Sequence, residues 1–218
     1  MSIKVIAIVG SHRKNSNTEL ALQIMSKRLT KVGVETEMIT LANKKIGHCR
    51  ACDNCKKIRK CPIDDELVKI MEKMTAAQGI ILACPVYSFN ITPLMQDLIT
   101  RGNRYFHILA NPAVKDNSDN SAFSYKNIPS SILKGKVGAA ITIARRAGGG
   151  IALANLYNFM LVNDMYIVGS CYENTIFGNE REAIVKDIEG MNNLYRLIDN
   201  FGTLLKRLFG QNSLDNDF

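Results

Sequence analysis

The sequence lacks the features that mark several large classes of protein. No apolar stretch approaches the roughly 20 residues that span a membrane, and no helix-turn-helix or RNA-binding motif is visible. Residues 1–4 run directly into an apolar strand, without the basic and apolar regions of a secretory signal. We therefore expect a cytoplasmic protein that binds neither membrane nor nucleic acid, and whose cysteines stay reduced.

Signatures of hydrolysis and of dinucleotide binding are also missing. The histidines at positions 12, 48 and 107 have no spacing that suits a metal ion or a catalytic triad. No pair of carboxylates is placed for acid–base catalysis, which argues against a hydrolase. The loop after the first apolar run has neither the lysine spacing of a P-loop nor the three glycines of a dinucleotide fingerprint.

The most informative feature that is present is a set of four closely spaced cysteines, Cys49-x2-Cys52-x2-Cys55-x5-Cys61, followed by Pro62. Thiolates this close in a reducing compartment suit a soft metal better than disulfides. The C-x2-C-x2-C run also occurs in bacterial ferredoxins, where cysteines hold iron–sulfur clusters. The spacing favours a [4Fe-4S] cluster held by all four cysteines, and a structural zinc ion is the alternative.

The charge around these cysteines supports the cluster. The chain has a formal net charge of +8, and residues 44–60 contribute seven basic side chains against a single acid, Asp53. A cluster held by four thiolates is a net anion, so surrounding cations lower the cost of binding it. The same basic surface favours an acidic redox protein as a partner. Residues 44–63 are called the cysteine segment below.

Hydrophobic periodicity predicts an α/β fold. Five apolar runs indicate buried strands: Ile3–Val9, Val34–Thr40, Gly79–Cys84, Val137–Ala144 and Met165–Cys171. Helices are predicted between and after them: from a capping box at Ser16 to about Lys31, at Asp64–Met74, from about Thr92 to Tyr105, from Gly150 to Leu161, and at Ile184–Leu208. The alternation predicts a flavodoxin-like, doubly wound, five-stranded parallel sheet of order 2-1-3-4-5, with the cysteine segment inserted in one crossover.

The chain is long enough for one domain. We predict a single domain over residues 1–210 that includes the cysteine segment, and a flexible tail over residues 211–218. The polar stretch Asn111–Lys134 contains several turn-forming residues and predicts a long loop, either an active-site flap or a subunit contact.

Three unusual loops should meet where the strand order reverses, because ligands bind there in open parallel sheets. The loop at residues 10–18 offers hydroxyl, amide and guanidinium groups beside a helix N-terminus, which suits a phosphate, although a plain capped turn would look similar. Aromatic and small polar side chains at residues 85–90 can border a flat ring or pack into the core. Three glycines at residues 148–150 let the backbone approach a ligand closely, or form a flexible turn.

Together, the Gly-Ser-x-Arg-x-x-Ser-Asn-Thr loop, the Pro-Val-Tyr loop and the glycine-rich loop resemble the NADPH-dependent FMN reductase superfamily. The cysteine motif narrows the resemblance to the iron–sulfur flavoproteins. The resemblance implies a flavodoxin-like fold and a homodimer or homotetramer in which each subunit holds FMN and a [4Fe-4S] cluster. It also implies that the cluster of one subunit lies near the flavin of another.

The resemblance further implies roles for individual residues. The FMN phosphate would be held by Ser11, Arg13, Ser16, Asn17 and Thr18. The flavin ring and ribityl chain would be bordered by Pro85, Val86, Tyr87, Ser88, Phe89 and Asn90, and the other side of the ring by Arg145, Gly148 and Gly149. The chain departs from the pattern at Phe89 and Asn90, where small residues are usual, and at Cys84, where a hydroxyl is common. We interpret Cys84 and Cys171 as buried small apolar residues.

These interpretations predict an oxidoreductase that carries electrons. It would pass single electrons from a low-potential, ferredoxin-like donor to a small-molecule oxidant that accepts two. An NAD(P)H-dependent FMN or quinone reductase with a structural metal at the cysteines is the alternative enzyme. A redox or metal sensor is a third possibility, although no DNA-reading helix is visible.

Overall fold

The computed structural model describes residues 2–110 and 130–210 of the 218-residue chain. Its centre is a parallel sheet with the strand order β2-β1-β3-β4-β5, and a further strand, β6, also pairs with β4. The strands are β1 (Ile3–Val9), β2 (Val34–Thr40), β3 (Gly79–Pro85), β4 (Val137–Ala144), β5 (Tyr166–Ile167) and β6 (Thr175–Phe177). The predicted flavodoxin-like fold and strand order are confirmed.

Helices cover both faces of the sheet because successive strand residues point to opposite faces. They are α1 (Asn17–Thr30), α2 (Asn54–Ile58), α3 (Glu66–Ala76), α4 (Pro93–Ala110), α5 (Gly149–Val162) and α6 (Ile188–Phe209), with a 3₁₀ turn at Ala183–Lys186. On β1, Ile6 and Ile8 join the apolar core formed with α3, α4 and α5. Val5 and Val9 join the second core, formed with α1 and α6.

The prediction of one continuous strand at Met165–Cys171 is wrong. The chain leaves the sheet after Ile167 and returns at Thr175, so that the sheet has six strands rather than five. Between these points the Ser170 hydroxyl donates to the Asn174 side chain at 2.6 Å and to the Tyr172 carbonyl at 3.0 Å. Side chains that bond locally in this way compete with the backbone ladder of a strand.

The break in this strand also explains an error about one cysteine. Cys171 is exposed, and its thiol donates to the Asn193 side-chain oxygen at 2.9 Å, so it is not the buried apolar residue that a strand would have made it. Cys84, at the end of β3, is buried as predicted, and burial raises the pKa of its thiol to about 11. Cys84 is therefore an unreactive core residue.

Two predictions concern residues that are not described. Most of the predicted loop at 111–134 and all of the predicted tail at 211–218 lie outside the described residues. Within residues 2–110 and 130–210, none of the helices combines the length and the apolar character needed to cross a membrane.

Candidate functional site

The carboxyl ends of the parallel strands lie at one edge of the sheet, and their loops surround a cavity of about 520 Å³. This volume falls within the roughly 300–1,000 Å³ that is usual for small-molecule sites. The cavity, called the edge cavity below, is lined by nine of the predicted flavin residues: Ser11, Arg13, Ser16, Asn17, Thr18, Pro85, Val86, Tyr87 and Arg145.

The first loop is held in shape by its own side chains. The Ser16 hydroxyl caps α1 by accepting the backbone N–H of Glu19 at 3.2 Å. The Glu19 carboxylate accepts the backbone N–H of Asn15 at 2.7 Å. In a standard capping box this carboxylate would accept the N–H of the capping residue itself, Ser16. Ser11 is buried, and its hydroxyl accepts the N–H of Arg13 at 3.1 Å. Residues 15–18, at the N-terminus of α1, line the edge cavity, and the positive end of a helix suits an anion.

The second loop contains a tight turn with an unusual backbone. Tyr87 and Asn90 exchange two backbone hydrogen bonds of 2.8 and 2.9 Å, and the two residues between them, Ser88 and Phe89, have φ angles of 48° and 63°. Positive φ at both central positions defines a type I′ turn, which normally uses glycine or asparagine. A left-handed conformation costs other residues about 1–2 kcal/mol each. Strain of this kind is typical of functional loops.

The turn at Ser88–Phe89 packs directly on the glycine-rich loop. Gly148 has a φ of 86°, and a Cβ at this position would lie 2.9 Å from the Cα of Phe89. The side-chain oxygen of Asn90 accepts hydrogen bonds from the Ile91 N–H at 2.8 Å and from the Asn155 side chain of α5 at 2.9 Å. Asn90 thus anchors the turn to α5.

Five predicted flavin contacts lie in or behind this turn and do not line the edge cavity: Ser88, Phe89, Asn90, Gly148 and Gly149. Phe89 is 60% exposed, so its ring is available at the surface beside the cavity. The ring of His12 stacks on that of Tyr87 with a centroid separation of 5.9 Å.

A fourth loop, which the sequence pattern did not predict, also lines the edge cavity. The segment after β6 contributes Gly178, Asn179, Glu180 and Arg181 to the cavity wall. Its position is fixed by the Asn17 side-chain amide, which donates to the Glu180 carbonyl at 2.7 Å. Because β6 was not predicted as a separate strand, nothing indicated that this segment would reach the cavity.

The electrostatics of the edge cavity favour an anion. Its wall includes four cationic side chains and a single acidic one, Glu180; the cations are Arg13, Lys14, Arg145 and Arg181. The side-chain oxygen of Asn17 is buried and has no hydrogen-bond donor within the part of the chain that the structure describes. A ligand hydroxyl would satisfy this acceptor, so the residues present fit a ligand that combines a phosphate with hydroxyl groups.

The four clustered cysteines line a second cavity, of about 230 Å³, called the cysteine cavity below. Cys49, Cys52, Cys55 and Cys61 come from the cysteine segment, and Arg101, Arg104 and Tyr105 of α4 complete the wall. Across residues 2–110 and 130–210, no three His, Cys, Asp or Glu side chains converge as ligands of a single ion.

Arginines connect the cysteine segment to α4. Arg104 of α4 pairs with Asp53, and a hydrogen bond to Cys55 is the main influence that raises the pKa of the Arg104 guanidinium. From the cysteine segment, Arg59 in turn donates to the carbonyls of Ile108 and Leu109 near the C-terminus of α4. A cation there is stabilised by the helix dipole. Neither contact was predicted from the sequence, and neither was helix α2 within the segment.

Comparison with solved structures agrees with this architecture. A flavodoxin from the domain Archaea superposes with a TM-score of 0.57 at 12% identity, covering 94% of this chain and 99% of that one. A flavone reductase superposes with a TM-score of 0.68 at 18% identity, covering 94% of this chain and 64% of that one. At these identities the likeness concerns the fold alone. The protein is therefore a flavodoxin-like α/β protein by fold.

Sequence relatives identify the family within this class. The model of the NADPH-dependent FMN reductase family matches residues 3–175. An iron–sulfur flavoprotein of Methanocaldococcus jannaschii is 33% identical over 169 residues, which cover 77% of this chain and 76% of the relative. One from Methanosarcina thermophila is 31% identical over 182 residues, 81% of each chain. The chain belongs to the iron–sulfur flavoproteins of the NADPH-dependent FMN reductase family, and it is a flavin-dependent redox protein.

Proposed function

We propose that the protein transfers electrons between FMN in the edge cavity and a [4Fe-4S] cluster in the cysteine cavity. It accepts single electrons from a low-potential, ferredoxin-like donor and passes them to a small-molecule oxidant that takes two. The observation that carries this proposal is that all four clustered thiols line one cavity, which they share with arginines of α4.

The donor set of the cysteine cavity suits an iron–sulfur cluster. Four thiolates are the usual ligands of a [4Fe-4S] cluster, and hydrogen bonds to the sulfurs are among the features that set its potential. Arg101 donates to the Cys61 sulfur at 3.3 Å, and Arg104 hydrogen-bonds to Cys55. The chain thus provides both the ligands and the cations that stabilise an anionic group.

The edge cavity suits FMN for a separate reason. Arg13 and the capped N-terminus of α1 would hold the phosphate, and the unsatisfied oxygen of Asn17 would accept a ribityl hydroxyl. Tyr87 and the strained turn beside it would border the ring. When bound, FMN supplies two-electron or one-electron chemistry, whereas a cluster supplies one electron at a time.

The surface of the cysteine segment supports an acidic electron donor. Lys56, Lys57 and Lys60 are exposed, and Ile58 is 58% exposed among them. An apolar residue surrounded by cations is the composition expected where a negatively charged protein docks transiently. We place the entry point for electrons at this surface.

A homodimer or homotetramer is part of the proposal. Helix α5 exposes three large apolar side chains, Ile151 near its start and Leu161 and Val162 at its end, each more than half exposed. A second copy of the chain would cover these side chains. The cytoplasmic location predicted from the sequence stays a prediction.

Metal analysis tests the proposal directly. Protein purified without oxygen should contain about four irons and four acid-labile sulfides per chain, as expected for a cubane cluster. Both should be measured beside FMN in the same sample. Stoichiometric zinc without sulfide would contradict the proposal and favour an NAD(P)H-dependent FMN or quinone reductase; the family's description names an NADPH-dependent FMN reductase.

The donor assignment predicts a strong dependence on salt. Reduction of the flavin by reduced ferredoxin should slow markedly as ionic strength rises and the Debye length falls from about 30 to 8 Å. Charge reversal at Lys56 and Lys57 should lower the association rate and flatten this dependence, because both side chains are exposed on α2.

Charge reversal at Lys27 and Lys31 is the matched control, because it changes the net charge of the protein by the same amount. Both side chains are exposed, Lys27 in the last turn of α1 and Lys31 just after it, and both are remote in the sequence from the cysteine segment. This control should keep the salt dependence of the unaltered protein. A rate independent of salt, or efficient flavin reduction by NAD(P)H after removal of the cluster, would argue for the reductase instead.

A further inference from the structure

One arginine of α4 is buried almost completely. The Arg101 side chain is 1% exposed, and it pairs with Asp65, whose side chain is 8% exposed, through contacts of 2.5 Å (Nη1–Oδ2) and 3.0 Å (Nη2–Oδ1). A two-point contact of this kind uses the planar fork of the guanidinium. Ion pairs this deep are costly to bury, and hydrophobic packing often replaces them without loss of stability. Stability alone is therefore a weak explanation for this pair.

The pair joins the two ends of the cysteine segment. On the N-terminal side, Asp65 accepts the Gly47 N–H at 2.8 Å, and Arg101 donates to the Gly47 carbonyl at 3.0 Å. On the C-terminal side, Arg101 donates to the Ile63 carbonyl at 3.4 Å, and Asp65 caps α3 by accepting the Leu67 N–H at 3.1 Å. The residues that carry the four cysteines thus form a loop whose ends are fastened to α4 by one charged pair.

Arg101 also reaches one of the cysteines. Its Nη2 lies 3.3 Å from the Cys61 sulfur, and Arg101 lines the cysteine cavity. Burial alone would lower the pKa of Arg101, but its hydrogen bonds to Asp65 and Cys61 raise the pKa above its ordinary value. Burial would likewise raise the pKa of Asp65, and the hydrogen bonds from Arg101 and Gly47 lower it. The two-point contact of Arg101 with Asp65 joins a guanidinium to a carboxylate, two groups of opposite charge.

The Nε of Arg101 is buried and has no acceptor among the described residues. A buried donor without a partner is uncommon in folded proteins, and an anionic group in the adjoining cavity would compensate it. Besides the Cys61 contact, this unpaired donor on a residue that lines the cysteine cavity is a second observation that suits an anionic ligand there.

We propose that Arg101 is a positioning residue that holds Cys61 in place and that, with Asp65, sets the reduction potential of the group bound by the four cysteines. The inference rests on the proposed [4Fe-4S] cluster. Reduction adds one electron and one negative charge, so a fixed cation nearby stabilises the reduced form and raises the potential, whereas a fixed anion lowers it.

Two variants with opposite charge changes provide the test. Arg101→Gln removes the cation and keeps an amide donor, and it should shift the midpoint potential of the cluster downward. Asp65→Asn removes the anion with almost no change of shape, and it should shift that potential upward. The potentials are measured by anaerobic titration with dithionite, followed by electron paramagnetic resonance, on protein loaded with both cofactors.

A double variant keeps the test informative if a single variant is unstable. Arg101→Gln alone leaves Asp65 buried without its partner, which destabilises the fold. The double variant Arg101→Gln with Asp65→Asn leaves no unpaired charge, and its cluster potential should lie between those of the single variants. FMN content and flavin potential serve as internal controls and should match those of the unaltered protein in all three variants.

The outcomes separate a tuning role from a purely structural one. If both single variants lose iron while the remaining cluster keeps its original potential, Arg101 only supports the loop and the proposal is overturned. Shifts of the same sign, or full occupancy with unchanged potentials, overturn it as well. Absence of iron and sulfide from the unaltered protein, measured first, would instead defeat the proposed function itself.

Discussion

Replacing any one of Cys49, Cys52, Cys55 or Cys61 by Ala is expected to remove most of the iron and sulfide from the protein and to leave FMN bound. The four thiols line one cavity, and a [4Fe-4S] cluster with a missing ligand has an iron exposed to solvent. The edge cavity is formed by other loops and shares no lining residue with the cysteine cavity. Iron, sulfide and FMN are measured per chain after anaerobic purification.

Cys171→Ala is the matched control for these four variants. Cys171 is an exposed thiol outside the cysteine segment, so its removal should leave about four irons per chain in place. If Cys61→Ala kept its full cluster while Cys171→Ala lost it, the ligand assignment would be wrong. Loss of FMN in step with iron would indicate that the two cavities depend on each other for folding.

Arg13→Ala is expected to weaken FMN binding by about ten- to a hundred-fold and to change riboflavin binding little. A hydrogen bond to a charged group contributes roughly 1.5–3 kcal/mol, which corresponds to this range of affinity. Riboflavin lacks the phosphate, so it would not use Arg13. Dissociation constants for both ligands are measured by fluorescence quenching on protein from which the flavin has been removed.

Arg146→Ala provides the control for the loss of one positive charge. Arg146 is exposed beside Arg145 but does not line the edge cavity. Its replacement should leave the affinity for FMN close to that of the unaltered protein. Equal losses for FMN and riboflavin in Arg13→Ala would mean that Arg13 does not touch the phosphate, and equal losses in both arginine variants would indicate a general effect of charge.

Much of the fold was predictable because its signals are local. Buried parallel strands are continuous apolar runs, and the bounds of β1, β2 and β4 agree with the sequence prediction to the residue. The cap at Ser16 is also local, since the hydroxyl and the N–H that it accepts lie three residues apart. The alternation of strands and helices then leaves few topologies, and the predicted strand order is among them.

What escaped prediction depends on contacts between distant residues. Asp65 and Arg101 lie 36 positions apart, and nothing in either local sequence indicates that they meet. The loop at residues 178–181 reaches the edge cavity only because the chain leaves the sheet after Ile167 and returns at Thr175. Ser170 makes local side-chain bonds within this detour, and such bonds compete with a strand in a way that hydrophobic periodicity does not detect.

Helix α4 links the two cavities, and its regular geometry fixes the direction in which each of its side chains points relative to the start of the helix. Thr92, just before the helix, donates to the Gly10 carbonyl at 2.7 Å and so fastens the start of α4 to the loop at residues 10–18, whereas Arg101 and Arg104 line the cysteine cavity. At about 1.5 Å and 100° per residue, Pro93 and Arg101 are separated by about 12 Å along the axis. Inserting one residue between them would turn Arg101 away from Asp65. A substitution in this stretch of α4 leaves the helical phase unchanged, whereas an insertion or a deletion would separate the guanidinium from its carboxylate partner.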